Sequence, residues 1–102
     1  MDEEQRFFNR DCQELNIKIN DDILGRTKDV SLSGILCRTN KFIEKGSLVT
    51  VTLSLPTGDI DLKGLCKRCM KLERKEYTVA INFEPLSPTS KSRMCLEECL
   101  GV

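Results

Sequence analysis

The segment LVTVTLSL at residues 48–55 has the clearest periodicity in the chain. Valine or leucine occupies every second position from residue 49 to residue 55, and threonine or serine stands between them. This alternation predicts a β-strand with one buried and one exposed face. The sequence PTGD at residues 56–59 follows directly and is typical of a hairpin turn. We therefore expect an antiparallel pair with the apolar sequence that begins at Ile60.

Similar short apolar patterns occur on both sides of this hairpin. They predict five further strands, at residues 15–19, 23–30, 35–40, 60–72 and 77–83. Strands that follow one another without helices between them form an antiparallel sheet or barrel. Residues 90–100 predict a short helix, with one apolar side formed by Met94, Cys95, Leu96, Cys99 and Leu100. The expected fold is mainly all-β: a six-stranded antiparallel β-barrel whose end is covered by a C-terminal α-helix.

The composition fits a single globular domain. The chain has 102 residues, of which 39% are apolar and 31% charged, and it lacks tryptophan, so the core must be mostly aliphatic. Residues 1–11 are polar and charged without periodicity, and we expect them to form a flexible leader. Residues 12–102 would form the barrel and its helix.

Charge and hydropathy exclude several classes of protein. Lysine plus arginine and aspartate plus glutamate both number 16, and a net charge of zero argues against a protein that holds nucleic acid by charge alone. No apolar run reaches the roughly 18 residues of a membrane span. The acidic start MDEEQRFF does not resemble a secretory signal. We expect a cytoplasmic protein that does not insert into membranes.

Histidine is absent from the chain. This removes catalytic arrangements that pair serine or cysteine with histidine, and it removes histidine as a metal ligand. No acid–base pair or nucleophile stands out among the other charged residues, so we expect no enzyme, no catalytic residue and no cofactor.

The six cysteines allow two interpretations. Cys66 and Cys69 form a CxxC pair, and Cys95 and Cys99 are four residues apart, so zinc coordination by four thiolates is conceivable. However, strand alternation would place Cys66 and Cys69 on opposite faces, and Cys95 and Cys99 share the apolar side of the predicted helix. Free structural thiols are favoured over a zinc site or a redox site, because a reducing compartment is expected.

Two short motifs carry the functional prediction. The first is RxxxR, formed by Arg6 and Arg10, and the second is DxSxxG, formed by Asp29, Ser31 and Gly34. Each motif alone has a simple structural interpretation: the first as solvated charges, the second as a turn capped by its own side chains.

In this order, followed by the strand pattern above, the motifs resemble the PilZ domain family, the bacterial receptors for cyclic di-GMP. The resemblance covers nearly the whole chain and includes the final strand ending in AINF at residues 80–83 and the C-terminal helix. It implies a six-stranded antiparallel barrel of PilZ type that binds its ligand without catalysis.

The resemblance also implies a role for each motif residue. Arg6 and Arg10 would hold the phosphates and guanine bases of the ligand. Asp29 and Ser31 would contact a guanine, and Gly34 would keep the surface beneath it open.

These roles agree with the chemistry of the side chains. The arginine fork pairs with phosphate oxygens and with the guanine edge, and it stacks on the base face. A carboxylate accepts hydrogen bonds from the N1 and N2 donors of guanine, and glycine allows close backbone approach and a positive φ.

The sequence thus favours a cyclic di-GMP receptor whose leader becomes ordered on ligand binding and changes the surface that a downstream protein contacts. The alternative is a degenerate PilZ adaptor that binds a protein and no nucleotide. A small barrel that binds single-stranded nucleic acid is disfavoured, because such barrels need exposed aromatic residues and excess positive charge.

Overall fold

The computed structural model describes residues 14–87 and 89–101. Six strands and one helix follow one another along the chain: β1 Asn16–Ile19, β2 Ile23–Val30, β3 Gly34–Thr39, β4 Leu48–Leu55, β5 Gly58–Glu73, β6 Glu76–Phe83 and α1 Lys91–Leu100. The prediction of a six-stranded antiparallel barrel with a C-terminal helix is confirmed.

The strands form a closed barrel in the order β1-β2-β3-β6-β5-β4. The short strand β1 closes it, because residues 17–19 pair with residues 51–53 of β4 as well as with β2. Closure satisfies the backbone groups that an open sheet would leave unpaired at its edges.

The barrel interior is aliphatic, as the composition predicts. Ile19, Val51, Leu53 and Val79 are fully buried, and Phe83 is the only aromatic side chain that is buried among residues 14–87 and 89–101. Leu96 brings α1 into the same core, where the helix packs against β4 and β5.

A β-bulge in β5 overturns one expectation. Cys66 pairs with Ile81 of β6, and Arg68 pairs with the adjacent Ala80. Lys67 is therefore an extra residue in the ladder. The extra residue resets the alternation. The prediction that Cys66 and Cys69 lie on opposite faces is therefore wrong: Cys66 is buried in the core, and Cys69 is half-buried against it.

The same shift exposes two residues beyond the bulge. Met70 and Leu72, which simple alternation places with the buried set, are about half exposed. A second irregularity, between Lys71 and Glu73, shifts the pairing register with β6 once more near the end of the strand.

Cys66 and Cys69 are small side chains in or against the core, and their thiols make weak hydrogen bonds. The backbone N–H of Ile43 donates to the Cys69 thiol at 3.5 Å, and the Cys66 thiol donates to the carbonyl oxygen of Ile43 at 3.8 Å. No group of three or more acidic, cysteine or histidine side chains in the described part of the chain is arranged to hold a metal ion. Cys99 is disulfide-bonded, so the prediction of free thiols does not hold for it.

The helix is capped at both ends. The hydroxyl of Ser90 accepts the N–H of Arg93 at 3.0 Å, and Gly101 ends the helix in the left-handed conformation. Leu96 and Leu100 are buried, whereas Met94, expected on the same apolar side, is mostly exposed. None of the helical residues described forms a segment long and apolar enough to cross a membrane.

The chain is held firmly where it enters the barrel. The N–H of Leu15 donates to the buried hydroxyl of Thr27 at 2.8 Å, and the N–H of Thr27 donates to the carbonyl oxygen of Leu15 at 2.9 Å. This pair of bonds fixes the start of the barrel against the middle of β2.

Replacing Thr27 with valine should therefore destabilise the protein. The isosteric change leaves the buried N–H of Leu15 without its acceptor, which costs about 1–3 kcal/mol. Thr50→Val on β4 is the matched control, because Thr50 is exposed. Urea unfolding measures both variants, and a Thr27→Val protein as stable as Thr50→Val would contradict the assignment.

The Cys37 thiol should resist alkylation in the folded protein. Burial, followed by the neighbouring Cys66 and Cys69, raises the pKa of Cys37 from 9.0 to about 12, so the reactive thiolate is scarce near neutral pH. Half-buried Cys95 should react with iodoacetamide first, as measured by mass spectrometry of peptides. In denaturant the two should react alike, and equal reaction rates in the native protein would refute this prediction.

Candidate functional site

The DxSxxG motif forms the turn between β2 and β3. The N–H of Ser31 donates to the carbonyl oxygen of Gly34 at 2.9 Å. The Ser31 hydroxyl accepts the N–H groups of Ser33 and Gly34, both at 3.2 Å. A side chain that caps its own turn in this way fixes the backbone of the loop.

The hydroxyl of Ser31 is thus largely occupied within the turn. Besides the two N–H groups, it lies 3.2 Å from the carbonyl oxygen of Gly34 and 3.1 Å from the hydroxyl of Ser33. A hydroxyl has one proton to donate and two lone pairs. Ser31 therefore shapes the loop, and the exposed Ser33 is a second polar residue of this turn that sequence reasoning did not identify. A direct contact between Ser31 and guanine stays a prediction.

Gly34 is required by its neighbour on β6. A Cβ atom at this position would overlap the carbonyl oxygen of Ile81 and lie 3.3 Å from the Cα atom of Asn82. The positive φ expected for a turn glycine is not found here; the described glycines that have one are Gly46, Gly58 and Gly101. The missing side chain lets β3 and β6 approach closely beneath the loop.

Asp29 stands beside this turn with its carboxylate exposed. Thr27 pairs with Cys37 and Asp29 with Leu36, so Lys28 is an extra residue that bulges from β2. Bulges redirect the side chains next to them. The Asp29 carboxylate makes no hydrogen bond or ion pair with any residue that the structure describes, so it is free to accept one from a ligand.

These groups line one shallow concave surface of about 340 Å³, which we call the shelf. The residues that matter for its chemistry are Asp29, Ser31, Ser33, Gly34, Leu36 and Asn82. The structure thus brings together three of the five site residues predicted from sequence.

Leu36 and Asn82 are additions that the motifs do not reveal. Leu36 pairs with Ala80, and Gly34 with Asn82, across the β3–β6 ladder. The half-buried Leu36 and the exposed Asn82 therefore lie on the outer face beside the loop. For Leu36 a signal existed, because three successive apolar residues, 35–37, in a strand with one buried face require the middle one to point outward. For Asn82 the strand register was needed.

The two predicted arginines, Arg6 and Arg10, lie outside the described residues. The chain preceding the barrel nevertheless starts close to the shelf, because Leu15 is bonded to Thr27, two residues from Asp29 on β2. A chain spans at most about 3.3–3.6 Å per residue, so Arg10, which stands five positions before Leu15 in the sequence, can lie up to about 17 Å from it. The shelf is open to solvent and within reach of that segment.

Comparison with protein families gives one match, the PilZ domain, which covers residues 3–101 of the 102-residue chain. The chain belongs to the PilZ domain family. A search of curated proteins finds no match. PilZ domains are cyclic di-GMP-binding and adaptor modules rather than enzymes. The match includes both motif segments of this PilZ domain.

Replacing Gly34 with alanine should destabilise this PilZ domain even without a ligand. The added methyl group meets backbone atoms of β6 that cannot move independently, and such overpacking costs about 1–3 kcal/mol. The neighbouring exposed substitution Ser33→Ala should change stability by about 0.5 kcal/mol or less. Urea unfolding compares them, and a Gly34→Ala protein as stable as Ser33→Ala would contradict the predicted clash with β6.

Proposed function

We propose that this PilZ domain is a cyclic di-GMP receptor that works without catalysis, and that its ligand binds on the shelf. One observation carries the proposal: Asp29, an exposed carboxylate with no partner among the described residues, stands beside a rigid turn and close to the start of the barrel. The membership of the family supports the choice of ligand.

The shelf offers groups that suit a guanine base. The Asp29 carboxylate can accept the N1 and N2 donors of guanine, which no other common base presents together. The amide of Asn82 and the hydroxyl of Ser33 add polar groups around it, and the partly exposed Leu36 offers apolar contact to a base face.

The two arginines complete the proposed site. Cyclic di-GMP carries two phosphates and two guanines. The guanidinium groups of Arg6 and Arg10 would pair with phosphate oxygens and stack on bases, which neutralises the dianion locally in a chain of zero net charge. Ligand binding would then order residues 1–11 against the barrel and change the surface presented to a downstream protein. The setting we propose is the bacterial cytoplasm.

Isothermal titration with cyclic di-GMP tests the proposal. Asp29→Asn should weaken binding by about tenfold to 100-fold, because a hydrogen bond to a charged group contributes about 1.5–3 kcal/mol. Stability should be unchanged, since the carboxylate has no partner in the described structure. Asp59→Asn is the matched control, because Asp59 is also exposed but lies at the start of β5, outside the shelf.

The arginine variants give the second arm of this experiment. Arg6→Ala and Arg10→Ala should abolish binding and leave the urea unfolding curve nearly unchanged, because the leader is outside the predicted core. The proposal is rejected if the folded wild-type protein gives no binding heat at tens of micromolar, and the assignment of the arginines fails if either variant unfolds.

A further inference from the structure

A second and larger concave surface, of about 600 Å³, adjoins the shelf on the same two strands. It is formed by the first part of β2, the end of β3 and the tip of the β5–β6 hairpin. We call it the basic groove, because five of its side chains are cationic: Arg26, Lys28, Arg38, Arg74 and Lys75.

Most of these cations have no carboxylate partner among the described residues. Glu76 forms an ion pair with Arg38 at 3.4 Å, and both side chains are well exposed. The other four cations make no ion pair with any residue in the described ranges. Since the whole chain has zero net charge, the groove is a local concentration of positive charge.

The centre of the groove contains an unfavourable pair. Arg26 on β2 lies directly opposite Arg38 on β3 in the strand register. Like charges directly opposite each other destabilise a sheet. On its other side Arg26 faces Asn16 of β1, which has no charge to offset it. An anionic group that binds between the two guanidinium groups would relieve the repulsion.

We propose that the basic groove binds an acidic segment of a partner protein, with aspartate or glutamate carboxylates between Arg26 and Arg38. A polypeptide fits better than a nucleic acid, because none of the described residues that line the groove is aromatic and could stack on bases. Glu14 and Glu76 at the groove would also repel a continuous phosphate backbone. The barrel is closed, so recognition uses side chains rather than the addition of a strand.

The groove also adjoins the ligand site, and this part of the inference rests on the proposed function. Glu14, the first residue that the structure describes, lines the groove. Lys28 of the groove is followed directly by Asp29 of the shelf. A change in the leader on ligand binding would therefore alter how an acidic partner reaches the groove.

The decisive variant is Arg26→Glu. It places a carboxylate opposite Arg38, so the fold should be as stable as the wild type or more stable in urea. Affinity for an acidic peptide should nevertheless fall at least about tenfold, because one attraction becomes a repulsion. Lys63→Glu is the matched control: it changes the net charge equally on an exposed position of β5 outside the groove.

The probe is a fluorescein-labelled polyglutamate peptide, titrated by anisotropy at low ionic strength into the protein without cyclic di-GMP. Amide shifts in NMR should cluster at residues 24–28, 38–40 and 74–76, and Lys63→Glu should bind like the wild type. The inference is overturned if polyglutamate does not bind, if Lys63→Glu loses binding as much as Arg26→Glu, or if a single-stranded oligonucleotide binds the same amides more tightly.

A parallel titration separates this inference from the proposed function. If Arg26→Glu still binds cyclic di-GMP but not polyglutamate, the two sites are distinct. If cyclic di-GMP binds no form of the protein while polyglutamate binds as predicted, the groove stands and the ligand assignment fails. If Arg26→Glu loses cyclic di-GMP binding together with polyglutamate binding, the groove is part of the nucleotide site and the inference is wrong.

Discussion

Closure of the barrel by three residues of β1 is the constraint on which the rest of the structure depends. Ile17 and Ile19 pair with Leu53 and Val51 of β4 and fill the centre of the core with aliphatic side chains. Because the ladder has no open edge, a partner cannot bind by extending the sheet. Recognition must use loops and the outer face, which is where the shelf and the basic groove lie.

Two β-bulges, at Lys28 and Lys67, change which side chains of β2 and β5 point outward from the barrel. The bulge at Lys28 separates the outward residues of β2 into two groups, with Arg26 and Lys28 in the groove and Asp29 on the shelf. The bulge at Lys67 turns Cys69 inward to pack beside Cys66. Each bulge adds one residue to its strand. One extra residue is enough to move the following side chains of that strand from one face of the sheet to the other.

Local patterns therefore predicted where the strands and the helix lie in the sequence better than they predicted which side chains are buried. The alternation at residues 48–55 and the turn sequences between strands depend on near neighbours, and all six strands were found. The facing of Cys69 and Met70 depends on a bulge that is defined only by pairing with β6, and simple alternation gave the wrong face for both. The mostly exposed Met94 was likewise misplaced, because the sequence does not show which helix face meets the barrel.

The candidate site is likewise only partly predictable from local sequence patterns. Asp29, Ser31 and Gly34 share the shelf because they are close in sequence, so a motif could reveal them. Their separate roles need contacts across strands: Gly34 is set by Ile81 on β6, and Asn82 joins the shelf only through the register. The opposed Arg26 and Arg38 are 12 residues apart and belong to no motif.

These constraints also limit how a ligand signal can leave the barrel. The shelf rests on a capped turn, a closed hydrogen-bonded ladder and a packed aliphatic interior, and rearranging any of them would break many interactions at once. A change in the segment before Leu15 breaks none of those hydrogen bonds. Leu15 itself is bonded to Thr27, which lines the basic groove and stands two residues before Asp29 of the shelf. In the proposed receptor, the least costly path from a bound nucleotide to a protein partner would therefore run over the outer surface of β2, through the leader, and not through the core.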